Sequence, residues 1–201
     1  MKINELSNGV LRFISAGVMI LALVGIIALE SWVPSWHIVR WVSVIIVIGA
    51  IYEMIRCLKS VNSDVFNKHS VYFIIFLLML FLMLVSAYFV GEHAWIMLWV
   101  LLTIIGADVG GWFFGKIFGG DKMWERLSAH KTWAGQIGGI ICGTIMSVIF
   151  FLYFKPFGAD VLFAVLFGWP IAFLSEYGDL TASFIKRCLG IKDFSNILPG
   201  H

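Results

Sequence analysis

Charge is scarce in this chain: Asp, Glu, Lys and Arg make up 13% of its 201 residues, against 61% hydrophobic, at a mean hydropathy of +0.96. That shortage excludes a single soluble core, because the apolar surface exceeds what one domain of this length can bury. The net charge of +2 comes without a basic arm, so nucleic acid is not an expected partner. Cysteine is scarce too. Cys57, Cys142 and Cys188 match no zinc spacing and suggest no disulfide framework, which leaves them packing roles. There is no internal repeat, no low-complexity tract, and none of the short alternating segments of a barrel. No small-residue cleavage site follows the first apolar run, so that run is expected to be a retained span and not a removed signal peptide.

What is present is a series of six long apolar stretches, at residues 12–30, 38–58, 71–90, 94–115, 136–154 and 159–177. Each is close to the ~20 residues that cross ~30 Å of hydrocarbon at 1.5 Å per residue. The expected fold is therefore an all-α integral membrane protein of about six transmembrane helices, in one polytopic domain over 1–201. An N-terminus on the cytoplasmic side puts twelve of the fourteen Lys and Arg residues inside, and only Arg40 and Lys155 outside. Both termini are then cytoplasmic. The outer connections, Ser31 to His37 and Gly91 to His93, are short and bland, whereas the inner ones, 116–135 and 178–201, are longer and more polar.

Two inner segments carry the chemical signal. The first holds Asp108, Gly110 and Gly111 inside a hydrophobic span, followed by Ser128, Lys131, Thr132 and Trp133. An unpaired carboxylate in a span costs ~2.5–3.5 kcal/mol on insertion scales and is usually turned toward a partner or a wet cavity. The neighbouring glycines let something approach the backbone closely; the competing explanation is a helix-packing glycine pair with Asp108 bonded to a neighbouring helix. Lys131, Thr132 and Trp133 offer a phosphate a cation and a hydroxyl beside an interfacial ring, and they also suit an ordinary interface anchor.

The second segment runs from Ser175 and Glu176 through Asp179, Ser183, Lys186 and Arg187. If the helix continues through it, Asp179, Ser183, Lys186 and Arg187 stand at i, i+4, i+7 and i+8 on one face. A carboxylate, a hydroxyl and two cations on one face suit a metal-bound polyphosphate, with Asp179 on the divalent ion and a cation on the phosphate. The competing explanation is a solvated helix end with dipole-favoured cations.

These motifs, in this order, resemble the phosphatidate cytidylyltransferase, or CDP-diglyceride synthase, family: Asp108 with its glycines, Ser128-x-x-Lys131-Thr132-Trp133-x-Gly135, and Gly178-Asp179-Leu180-x-x-Ser183-x-x-Lys186-Arg187. Lys192-Asp193 and Leu198-Pro199-Gly200-His201 complete the pattern. The resemblance implies an enzyme that joins CTP to phosphatidic acid, giving CDP-diacylglycerol and pyrophosphate at the cytoplasmic face of a bacterial inner membrane. It implies Mg²⁺, with room for a second ion, held by Asp179 and Asp108. Catalytic roles fall to Asp179, Asp108, Lys186 and Arg187, and substrate binding to Lys131, Thr132, Trp133, Ser183, Lys192, Asp193 and His201. The expected partners are CTP, phosphatidic acid and membrane lipids, with a second copy of the chain forming a homodimer as a further candidate.

Residues 106–201 form the catalytic half on this reading. The sequence departs from the family pattern at Ala134, where Glu is common, at Ala129 and His130, and at Gly111-Trp112, where Ala-Tyr is usual. The pattern also continues past Leu-Pro-Gly-His into Gly-Gly, Asp-Arg, a further Asp and a last span. The 201 residues given are therefore expected to insert into a membrane but to show little or no activity. Two other classes remain open, a CTP-dependent polyprenol or phytol kinase, and a transporter or other non-enzymatic membrane protein.

Overall fold

The computed structural model describes residues 18, 21–22, 25–33, 37–59, 62–90, 93–125, 127–128, 131–154, 160–191 and 194. Five long helices dominate: α1 at Ile38–Lys59, α2 at Ser63–Val90, α3 at Ala94–Phe118, α4 at Trp133–Phe154 and α5 at Val161–Cys188. All five are long and apolar enough to cross a membrane, and among the described residues no strand forms beyond one isolated bridge between Lys122 and Thr132. The expected span at 12–30 falls largely outside the described residues, although 25–32 are helical. Large apolar side chains cover the helix surfaces: Ile45, Ile46, Ile74 and Leu162 are 62–66% exposed, as a bilayer solvent requires. The chain is an integral membrane protein of all-helical fold.

Helix ends differ from the apolar runs for a physical reason. Hydrocarbon thickness limits the apolar run, but the hydrogen-bonded ladder continues into the interface wherever the local sequence permits. Thus α2 begins eight residues before the run at 71–90, and α5 continues past 177 through the whole polar cluster to Cys188. It stops just before Gly190, which has φ of 69° and turns the chain where L side chains are strained.

The described chain divides into two compact units. One contains α1 and α2, where Arg40 stacks on Tyr88 at 4.9 Å and Trp41 meets the same ring edge-on. The buried Glu30 carboxylate accepts the Val39 N–H at 3.2 Å, satisfying an orphan donor in the first turn of α1. The other unit, Trp95–Cys188, contains α3, α4 and α5 with the loop that joins α3 to α4.

The second unit is zipped together by small residues at every fourth position. On α3 these are Thr103, Ala107, Gly111 and Gly115; on α4 they are Gly135, Gly139, Gly143 and Ser147; on α5 they are Ala164, Gly168 and Ala172. In a membrane, helices gain little from burying apolar surface, so close backbone approach and dispersion contacts have to hold them. A Cβ at Gly135 would stand 2.7 Å from the Gly111 carbonyl oxygen, and one at Gly143 would stand 3.0 Å from that of Thr103. Away from the polar cluster, the seam is locked by a buried relay: Trp99 Nε1–H donates to Ser147 Oγ at 2.8 Å, and that hydroxyl donates to the Ala164 carbonyl at 2.8 Å. Trp99, Phe150, Phe151 and Ala164 pack around it.

Candidate active site

At the end of the three helices opposite the Trp99 relay, the seam opens into a pocket of about 280 Å³. Asp108, Gly111 and Trp112 of α3, Met123, Ser128, Lys131 and Thr132 of the loop, Gly135 and Gln136 of α4, and Glu176 and Asp179 of α5 line it. The loop is folded back so that its end is held firmly. Gly119 and Gly120, at φ 57° and 88°, turn the chain out of α3; Met123 N–H then donates to the Lys131 carbonyl and Trp133 N–H to that of Asp121, each at 3.1 Å.

Lys131 is the centre of the pocket's charge. Its ammonium donates to Glu176 Oε2 at 3.0 Å, to the Glu176 carbonyl at 3.3 Å, and to Asp179 Oδ2 at 2.9 Å. Burial pushes the Lys131 pKa down, but hydrogen bonds to Asp179 and Glu176, with their charges, outweigh it and leave the value raised. A raised lysine stabilises the fold fully below its unfolded pKa and loses that contribution only as pH climbs through the folded value, so Lys131 keeps its charge at neutral pH.

The Glu176 carboxylate reaches this position through a notch. A Cβ at Gly111 would lie 2.8 Å from Glu176 Oε1, and one at Gly139 would lie 2.7 Å from the same atom. Glu176 occupies the next fourth position after Ala164, Gly168 and Ala172, so the small-residue stripe of α5 ends on a buried carboxylate. Gly110 and Gly111 pack against α4, and the Glu176 carboxylate lies close to Gly111 as well.

Thr132 caps α4. Its buried hydroxyl accepts the Gly135 N–H at 3.1 Å and its carbonyl accepts the Gln136 N–H at 3.0 Å. Thr132→Ala is expected to lower stability by about 1 kcal/mol while Thr132→Ser retains most of it, as read from thermal melting in detergent.

Of the residues singled out from sequence, the pocket brings together Asp108, Lys131, Thr132 and Asp179. Ser183, Lys186 and Arg187 lie farther along α5, and Trp133 opens α4; none of the four is among the lining residues. Lys192, Asp193 and His201 lie outside the described residues. Sequence reasoning passed over Glu176 and Gln136 as site residues. Gln136 is buried at the pocket with neither amide atom hydrogen-bonded among the described residues.

Residues 12–201 match the Cytidylyltransferase family. The chain belongs to that family. Among relatives, it is 36% identical over 104 residues to the phosphatidate cytidylyltransferase of Staphylococcus haemolyticus, a match covering 52% of this chain and 40% of that protein. It is 40% identical over 102 residues to the Pseudomonas aeruginosa phosphatidate cytidylyltransferase, covering 51% of this chain and 38% of the other. The phosphatidate cytidylyltransferase of Mycobacterium leprae is 32% identical over 102 residues, covering 51% and 32%. The matched stretch is thus less than half the length of each of these cytidylyltransferases. No solved structure matches the chain significantly.

The donor set of this pocket suits a divalent cation in kind. Asp108, Glu176 and Asp179 against the single ammonium of Lys131 leave a formal charge of −2. No group of three or more His, Cys, Asp or Glu side chains converges at metal-binding geometry among the described residues. Mg²⁺ does not need one, since it is commonly held by one or two carboxylates and retains several waters.

Proposed function

We propose that this chain carries the active site of a CTP:phosphatidate cytidylyltransferase. The observation that supports it most directly is a carboxylate-rich pocket with a fixed lysine at the polar end of three membrane-spanning helices. A water-soluble nucleotide and a lipid whose tails stay in the bilayer can meet there without either being extracted. A phosphate oxygen of phosphatidic acid attacks the α-phosphorus of CTP; the new O–P bond forms as the bond to the β-phosphate oxygen breaks, and pyrophosphate leaves.

Asp179 and Asp108 would hold Mg²⁺, which when bound supplies charge neutralisation for the phosphates. The chain's own residues do the rest. Lys131 meets phosphate oxygens from the loop, Glu176 holds the Lys131 ammonium, and Thr132 fixes the start of α4. Lys186 and Arg187, with Ser183, extend the cationic side of α5 toward the pyrophosphate. The distribution of Lys and Arg supports cytoplasmic termini and a cytoplasmic site in a bacterial inner membrane, and a second copy of the chain is a candidate partner.

The deciding assay supplies α-labelled CTP, phosphatidic acid and Mg²⁺ to these residues extended through the family's terminal Asp-Arg segment, since the 201 alone are expected to show little or no activity. Label recovered in the lipid phase is the expected result. Transfer from γ-labelled CTP to a lipid alcohol, with no α-label in the lipid, would instead identify a kinase.

A further inference from the structure

An ammonium group has three N–H donors, and all three of Lys131 are taken: by the Glu176 carbonyl, by Glu176 Oε2 and by Asp179 Oδ2. A lysine given the task of binding substrate phosphate thus begins fully engaged. It must release an acceptor first.

The two carboxylates that hold it are not equivalent. The Glu176 side chain is 7% exposed and seated against Gly111 and Gly139, whereas that of Asp179 is 61% exposed at the pocket. Glu176 is the more firmly held of the two. Asp179 is the partner that can be given up, and it lines the same pocket as Asp108, the other carboxylate open to an ion.

We propose that Lys131 and a divalent cation compete for Asp179, and that Glu176 is the positioning residue that retains the ammonium when Asp179 is surrendered. This rests on the cytidylyltransferase reading and deepens it. Without the ion, Lys131 offsets the charge of Asp179 at the pocket. With the ion, one N–H of Lys131 is released beside the pocket while the bonds to Glu176 remain, and that freed donor is the one available to phosphate. The lysine becomes competent for substrate only after the metal is bound, which orders the two events.

The test measures Mn²⁺ binding to the full chain in detergent, without substrate, from the free-ion signal in electron paramagnetic resonance. Lys131→Met removes the competitor and is expected to tighten Mn²⁺ binding by about twofold to fivefold, the range of a partly exposed ion pair. The same variant should retain less CTP in the presence of Mn²⁺. Lys131→Arg keeps a cation and should match the parent for Mn²⁺ within about twofold. A lysine with a purely structural role would give weaker Mn²⁺ binding on replacement by Met, and binding no tighter than the parent's overturns the proposal.

A second measurement needs no variant. Carbodiimide coupling of the unmutated chain, followed by mass spectrometry, should yield a Lys131–Asp179 amide that Mg²⁺ suppresses and a Lys131–Glu176 amide that it spares. An unchanged Lys131–Asp179 yield also overturns the exchange. If the parent binds both Mn²⁺ and CTP while Lys131→Met binds Mn²⁺ no tighter, the exchange alone fails. A parent that binds neither removes the cytidylyltransferase reading together with it.

Discussion

In the chain extended through the family's terminal segment, Asp179→Asn is expected to eliminate nucleotidyl transfer, with kcat/KM down by at least about 10³-fold, or roughly 4 kcal/mol of transition-state stabilisation, while the protein stays folded. The substitution retains shape and removes one negative charge. Its effect on stability should be small, because the Asp179 side chain is 61% exposed and an ion pair that open is worth at most about 1 kcal/mol. Its effect on chemistry should be large, because a carboxylate proposed to hold the metal has no substitute at the same point of α5. Raising Mg²⁺ should not restore the rate. Lys186→Ala offers the contrast: it stands beside Arg187 at the end of α5, and its loss should weaken nucleotide binding or charge stabilisation more than it disables the site. Initial rates with α-labelled CTP over a range of Mg²⁺, with melting curves on the same samples, read both effects. Near-normal turnover by Asp179→Asn refutes the metal role.

The helices were legible because their signal is redundant. Every residue of an apolar run repeats the same message, and the runs at 38–58, 71–90, 94–115, 136–154 and 159–177 all lie within or largely overlap observed helices. Asp108 and Asp179 stood out for the opposite reason, as charges in or beside apolar spans. Glu176 did not, although it was visible in the polar cluster. Its importance comes from phase: it continues the fourfold spacing of Ala164, Gly168 and Ala172, and a carboxylate on that buried stripe signals a side chain aimed into the helix seam. The spacing of Thr103, Ala107, Gly111 and Gly115 against Gly135, Gly139, Gly143 and Ser147 is likewise written in the sequence, but which helices face one another is a tertiary fact. The bonds from Lys131 to α5 span 45 residues and depend on how the 119–132 loop folds back. No local pattern states that.

Gly139→Ala and Gly111→Ala are expected to fail in different ways, although each adds a single methyl group facing the same carboxylate. At Gly139 the new Cβ would sit 2.7 Å from Glu176 Oε1 and 2.9 Å from the Ala107 carbonyl oxygen. The second neighbour is the backbone of α3 and cannot yield without moving the helix, so α3 and α4 must separate along a seam whose stability depends on close approach. A loss of about 1–3 kcal/mol is expected, together with the loss of most activity. At Gly111 the near neighbour is only Glu176 Oε1, at 2.8 Å; the next, the Gly135 carbonyl oxygen, lies at an ordinary 3.5 Å. That conflict can be relieved by moving the end of one side chain. Gly111→Ala should therefore change the melting temperature far less than Gly139→Ala while still reducing turnover, because displacing the Glu176 carboxylate loosens the ammonium it holds at 3.0 Å. Gly49→Ala in α1, with nothing within 4 Å of its added methyl group, is the control and should be neutral or slightly stabilising, by up to about 1 kcal/mol. Melting in detergent and turnover of α-labelled CTP, measured on all three, separate the cases. Equal destabilisation by Gly111→Ala and Gly139→Ala would mean that the seam alone requires both glycines, and that the Glu176 notch has no separate role in the chemistry.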